Sequence, residues 1–219
     1  MITLYGFGRV FRQVIGETRD LRAQWALEEA GLPYRVHGVD HTGGENQSAA
    51  YVRMNCFRLL PVIDDDGFVV AESGAVLLYI AEKAGKLIPS DFQGRMRVVQ
   101  WCFAALATCE RPLMEIQLID KFGGGEGAEK RRAEMVKEAS RWLAGLEFRL
   151  DGREWIACAD FTVADILLAT VLREIRTTDL MNSYPRLKAY FTRALARPAW
   201  QRTLSLYSDR LGVAVADIS

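Results

Sequence analysis

The chain has 219 residues, 50% hydrophobic and 26% charged, and its 28 Lys and Arg balance its 28 Asp and Glu. That length supports one large or two small domains with a real core. Zero net charge argues against a nucleic-acid or membrane-surface partner, and no apolar run approaches the ~20 residues of a membrane span.

The opening MITLYGFGRV reads as a strand, from Ile2 to about Gly6, rather than as a signal peptide, which predicts a cytoplasmic protein. After a loop with glycine and arginine, Thr18 to Ala30 reads as a helix. Thr18 is placed to cap it, Asp20 lies in its first turn and Gly31 stops it. Tyr34 to Val39 is the second strand. A crossover helix between these two strands makes them parallel. A polar stretch and a short helix near Ser48 to Met54 lead to two runs of β-branched and aromatic residues split by Asp66-Gly67, a hairpin signal. Ser73 then stands before the apolar run GAVLLYIA as a helix N-cap. The order β-α-β-α-β-β-α is a thioredoxin-like pattern, predicted over residues 1–84 with 85–91 as linker.

From residue 92 to 219 the pattern stays helical, so the fold class is an α/β thioredoxin-like N-terminal domain with an all-α C-terminal domain. Residues 93–121 carry a broad apolar stripe that Pro112 should kink. The glycine-rich loop Gly123 to Gly127 lacks the Lys-Ser/Thr ending of a phosphate loop. Thr162 and Asp165 have capping-box spacing, a structural role; losing Thr162 should cost roughly 0.5–2 kcal/mol. Cys56, Cys102, Cys109 and Cys158 form no CxxC pair and no metal-ligand spacing with His37 or His41. They read as small hydrophobes, and no metal is expected.

The chemistry suggested by this order sits at Glu72 and Ser73. A helix N-terminus offers free N–H groups and a positive dipole end to a carboxylate. Glu72 beside it suits an ammonium, so the pair fits the amino-acid end of a small zwitterion.

Four motifs in this order carry a family resemblance: WALEEAGLPY (Trp25 to Tyr34), LPVIDDDGFVVAESGAVLLYIAEK (Leu60 to Lys83), FTVADI (Phe161 to Ile166) and YPRLKAYFTRALARPAW (Tyr184 to Trp200). Together they resemble the cytosolic glutathione transferases over nearly the whole chain. The resemblance implies a cis Leu60–Pro61 bond and an outward-turned Leu60 backbone that pairs with glutathione as an extra strand. Proline at a strand start is the plainer reading. It implies that Glu72 takes the γ-glutamyl ammonium, that Ser73 takes the α-carboxylate, and that Asn46 and Gln47 lie against the tripeptide. It also implies a hydroxyl that holds glutathione as thiolate. Counting back from Trp25 gives Thr18 for that group; Tyr5 is the alternative, and a plain helix cap is the other reading of Thr18.

The chain departs from the family pattern in three places. Leu59 stands where many members have Gln or Lys, and Cys56 where proline is common. Asn46 and Gln47 are neutral, leaving Arg58, Arg53 or His41 to face the glycine carboxylate. The implied protein is a homodimeric, detoxifying transferase with glutathione as co-substrate. It would attack a small apolar electrophile in a cleft between domains, near Trp101, Ala105, Cys109 and Met114, with Phe57 at the dimer interface. The alternative is a non-catalytic protein of the same fold serving in binding or assembly. A thiol-disulfide oxidoreductase would need a cysteine at the first helix, and residues 7–20 contain none.

Overall fold

The computed structural model of the chain describes residues 1–218. Its sheet is built around β1 (Ile2–Arg9), which pairs in parallel with β2 (Tyr34–Asp40) and antiparallel with β3 (Val62–Asp65). β3 then pairs with β4 (Phe68–Ala71), giving the order β2-β1-β3-β4. The parallel pair and the hairpin predicted from element order are both present. Where β1 slips register between Phe7 and Arg9, Gly8 and Gly38 meet backbone to backbone. A Cβ on Gly8 would lie 2.5 Å from Gly38, so the strands close there only without side chains.

α1 (Asp20–Ala30) crosses between the parallel strands and buries Leu21, Ala23, Trp25, Ala26 and Leu27. Gly31 stops it in the left-handed conformation at φ 70. α2 (Ala49–Met54) is capped by Ser48, whose hydroxyl accepts the Tyr51 N–H at 3.2 Å. α3 (Ser73–Ala84) ends at Gly85, again left-handed. The capping expected of Thr18 and Ser73 is not what the structure shows. Arg19 and Glu72 hold the N-cap positions, with no side-chain cap bond at either. Both hydroxyls are engaged by distant residues instead, Tyr207 for Thr18 and Arg22 for Ser73.

The helical remainder divides between two compact units. Residues 88–196 form one, with α4 (Phe92–Phe103), α5 (Glu110–Phe122), α6 (Ala128–Arg149), α7 (Val163–Leu172) and α8 (Pro185–Leu195). Between α4 and α5, Ala104–Cys109 forms a π turn. It precedes Pro112, which has no N–H to give the Thr108 carbonyl and whose ring crowds that oxygen, so the irregularity expected at the proline is absorbed one turn earlier. α7 is buried throughout. Its Asp165 accepts the Ile156 N–H at 2.9 Å, the Thr162 N–H at 2.8 Å and the Tyr190 hydroxyl at 3.1 Å, and burial pushes its carboxyl above the usual range.

The other unit comprises residues 1–87 and, among the described residues, 197–218. The boundaries expected from composition placed everything after residue 92 in the helical domain. In the structure α9 (Pro198–Leu211) lies on α1 instead. Trp200 meets Trp25 at 4.8 Å between ring centroids, and Arg197 makes a two-pronged ion pair with Glu29 at 2.6 and 2.8 Å. Among the described residues no helix is long and apolar enough to cross a membrane.

Candidate functional site at the head of the third helix

The site grows from two neighbouring turns of the first unit. The first leads into β3. Tyr51 and Asn55 of the α2 region donate to the Leu59 carbonyl at 2.9 and 3.0 Å, and the Asn55 side chain takes the Phe57 N–H at 3.0 Å. These bonds fix the loop that ends in a cis Leu60–Pro61 peptide. Leu60 packs with Val39, Tyr51 and Val62, while among the described residues its own backbone N–H and C=O make no hydrogen bond.

The second turn joins β4 to α3. Glu72 sits there at φ 69 and ψ 119, a region that side chains rarely occupy, with its carboxylate exposed. Ser73 begins α3 and is buried; its hydroxyl accepts from Nη1 of the buried Arg22 at 3.3 Å. The first N–H groups of α3 have no intrahelical partner, because the ladder starts with the Val76 N–H on the Glu72 carbonyl. A helix N-terminus and a guanidinium therefore act in the same direction, toward an anion. Glu72, of opposite sign, stands free at the rim.

Asn46, Gln47 and Arg58 form a third cluster. The Asn46 amide donates to the Arg58 carbonyl at 2.9 Å, and the Gln47 carbonyl accepts Arg58 Nη1 at 2.8 Å. The buried Asn46 Oδ1 has no partner among the described residues. Arg58, whose backbone is at φ 60, thus brings a cation beside the neutral pair. His41 is packed instead between Phe7 and Phe11, at 5.5 and 6.1 Å.

Thr18 lies at the foot of α1, one turn before Arg22. Its hydroxyl meets that of Tyr207 at 2.7 Å, and the Gly16 N–H donates to the same phenol at 3.1 Å. Beside it the fully buried Asp20 accepts from the Phe7 N–H and from Arg210, both at 3.0 Å. Arg210 also reaches the Phe7 carbonyl and Gln24, each at 2.9 Å. Tyr207 and Arg210 come from α9, and nothing local in the sequence signals their part. Tyr5, the alternative to Thr18, packs with the α2 cluster, 5.0 Å from His37 and 6.3 Å from Tyr51. Of the side chains suggested for an electrophile, Ala105 and Cys109 are buried in the helical unit and Trp101 lies under Arg149 at 5.3 Å. Burial raises the Cys109 thiol to about 11. Among the described residues no group of His, Cys, Asp and Glu is arranged to hold a metal ion.

Comparison with known proteins follows the same division of the chain. Residues 11–82 match the glutathione S-transferase N-terminal domain, and residues 101–198 match its C-terminal domain. A curated relative, glutathione S-transferase F9 of Arabidopsis thaliana, is 26% identical over 199 residues, 85% of this chain and 92% of its own. A glutathione transferase family member from Pseudomonas fluorescens, solved with two glutathione bound, superposes with a TM-score of 0.80 at 27% identity, covering 92% of this chain and 91% of its own. A glutathione transferase from Burkholderia graminis, with two glutathione molecules bound per subunit, does so at 0.81 and 29% identity, covering 92% and 86%. With both halves matched in order, and the fold reproduced over nine-tenths of its length, the chain belongs to the cytosolic glutathione transferase family.

Proposed function

We propose that the protein binds reduced glutathione and joins its thiolate to an electrophilic carbon of a small apolar compound, forming a thioether as that carbon's leaving group departs or its double bond opens and takes a proton. The observation that carries this reading is the head of α3, where exposed Glu72, the Ser73 hydroxyl and free helix N–H groups adjoin buried Arg22. In this reading Glu72 pairs with the γ-glutamyl ammonium, and Ser73 and the α3 N–H groups take the adjacent carboxylate. The unengaged Leu60 N–H and C=O pair with the peptide backbone, and Pro61 shapes that edge. Asn46 and Gln47, with Arg58 between them, face the glycine carboxylate.

Chemistry then requires a thiolate. A free thiol titrates near ~8.5, so only a few per cent is ionised at neutral pH. Lowering that by about two units takes about 2.7 kcal/mol of selective stabilisation. Thr18 supplies one hydrogen bond, and Arg19, Arg22 and the N-terminus of α1 supply positive potential. The electrophile is bound by apolar contact and contributes the carbon that the sulfur attacks.

Calorimetric titration with reduced glutathione is the direct test. The wild type should bind, and Glu72→Ala should weaken binding by about 1.5–3 kcal/mol, the range for a charged hydrogen bond. No binding by the wild type, or equal binding by both, would refute the assignment. A non-catalytic role in binding or assembly is the second reading, favoured by Leu59, an apolar side chain 57% exposed where the family resemblance implies Gln or Lys. Glutathione binding without turnover of an activated aryl halide would select it.

A further inference from the structure

The two hydroxyls of Thr18 and Tyr207 present an accounting problem. They share one hydrogen bond of 2.7 Å, yet each carries a hydrogen. The Tyr207 oxygen already receives the Gly16 N–H, so it has an acceptor role independent of Thr18. Neither hydroxyl has any other partner among the described residues. Whichever way the shared bond runs, one hydroxyl hydrogen is left over. Tyr207 is 0% exposed and Thr18 is 9% exposed. A stranded O–H is costly in a sealed interior and cheap where it reaches the surface. A phenol is also the stronger donor of the two. The arrangement of lowest energy therefore has Tyr207 donating to Thr18.

We propose that Tyr207 is a positioning residue: by donating to the Thr18 oxygen it turns the remaining Thr18 hydrogen outward, toward the glutathione sulfur. This rests on the assignment of Thr18 as thiolate donor and adds to it a fixed direction. The surroundings suit the task. Burial, then the Asp20 carboxylate, raises the Tyr207 phenol to about 12, so it keeps its proton throughout the working range. Arg210 lies over its ring at 5.1 Å, and Asp20 and Arg210 are the charged groups facing it. Gly16 takes φ 86 and a Cβ there would come within 2.9 Å of Ile218, so the N–H that anchors the phenol depends on glycine. Donation to Thr18 also polarises it, which strengthens the next bond in the chain.

The test is a pH titration of bound glutathione, followed by the near-ultraviolet absorbance of the thiolate. Tyr207→Phe should raise the thiol pKa by about half to one unit, a three- to tenfold loss of thiolate at a given pH, with kcat falling and KM nearly unchanged. Thr18→Ala should raise it at least as far, Thr18→Ser should restore most of it, and the double variant should add little to Thr18→Ala alone. Difluorotyrosine at position 207 keeps the packing and sharpens the donor, so it should move the pKa downward even if the phenylalanine variant folds poorly. A shift with Thr18→Ala but none with Tyr207→Phe or difluorotyrosine would overturn the positioning role and leave Thr18 as donor. No shift with Thr18→Ala would remove both.

Discussion

Glu72 holds a backbone conformation that glycine would adopt without strain, yet it carries a charged side chain in the open. Such residues typically cost about 1–3 kcal/mol, persist where the surrounding structure over-determines them, and cluster at functional sites. If Glu72 is kept for an ammonium, Glu72→Gly should raise stability by about 1 kcal/mol, after allowing for the greater freedom of unfolded glycine, and should weaken glutathione binding about tenfold or more. Denaturant unfolding and calorimetry on the same protein check both halves. A variant both less stable and equally able to bind would show that the strain has another cause. Ser73 and Thr18 mark the limit of local reading at this scale. Each stands where a cap belongs by sequence, and each is instead bound by a side chain far along the chain, Arg22 or Tyr207.

At the scale of elements, the β3–β4 hairpin is tied to α3 through Asp65. Tyr79 donates to its carboxylate at 2.6 Å and Lys83 forms an ion pair with it. The Lys83 ammonium, then the Tyr79 hydroxyl, hold the Asp65 carboxyl below its ordinary value. A carboxyl whose folded pKa is lowered stabilises the fold above its unfolded pKa and loses that contribution as pH falls through the folded one. The window therefore opens near about pH 4 and extends downward. Asp65→Asn should unfold more easily than wild type at neutral pH, and the gap in melting temperature should narrow progressively below about pH 4. A gap independent of pH would mean that packing, not charge, carries the contact. Elements with strong local signals were legible here: the parallel pair, the hairpin, Gly31 as helix stop and the Thr162–Asp165 box all follow from neighbours in sequence. The π turn was not, because it is the response of one packed helix to Pro112.

For the whole molecule the expectation to test is assembly. Phe57 is 70% exposed on a loop whose backbone is fixed by Asn55 and Tyr51, an arrangement that presents an aromatic anchor at low entropic cost. The proposed homodimer of twofold symmetry should sediment as a dimer at micromolar concentration, and Phe57→Ala should shift it toward monomer. A monomeric wild type would refute this. The division of the chain also belongs to this scale. α9 reads as one more amphipathic helix of the C-terminal run, yet Trp200, Arg197 and Arg210 commit it to α1 and β1.

The sequence by itself determined the order of elements, the parallel and antiparallel pairing, the family and the residues at the head of α3. The elements and their pairing follow from periodicity, turn signals and connectivity, the head of α3 from its place directly after the hairpin, and the family from the resemblance that four motifs in order carry. Only the tertiary structure decided which hydroxyl is held by what, that Arg58 lies beside Asn46 and Gln47, and that α9 braces the foot of α1. Those outcomes depend on contacts such as Thr18 with Tyr207, 189 residues apart, where one hydrogen bond in a buried place outweighs any local preference.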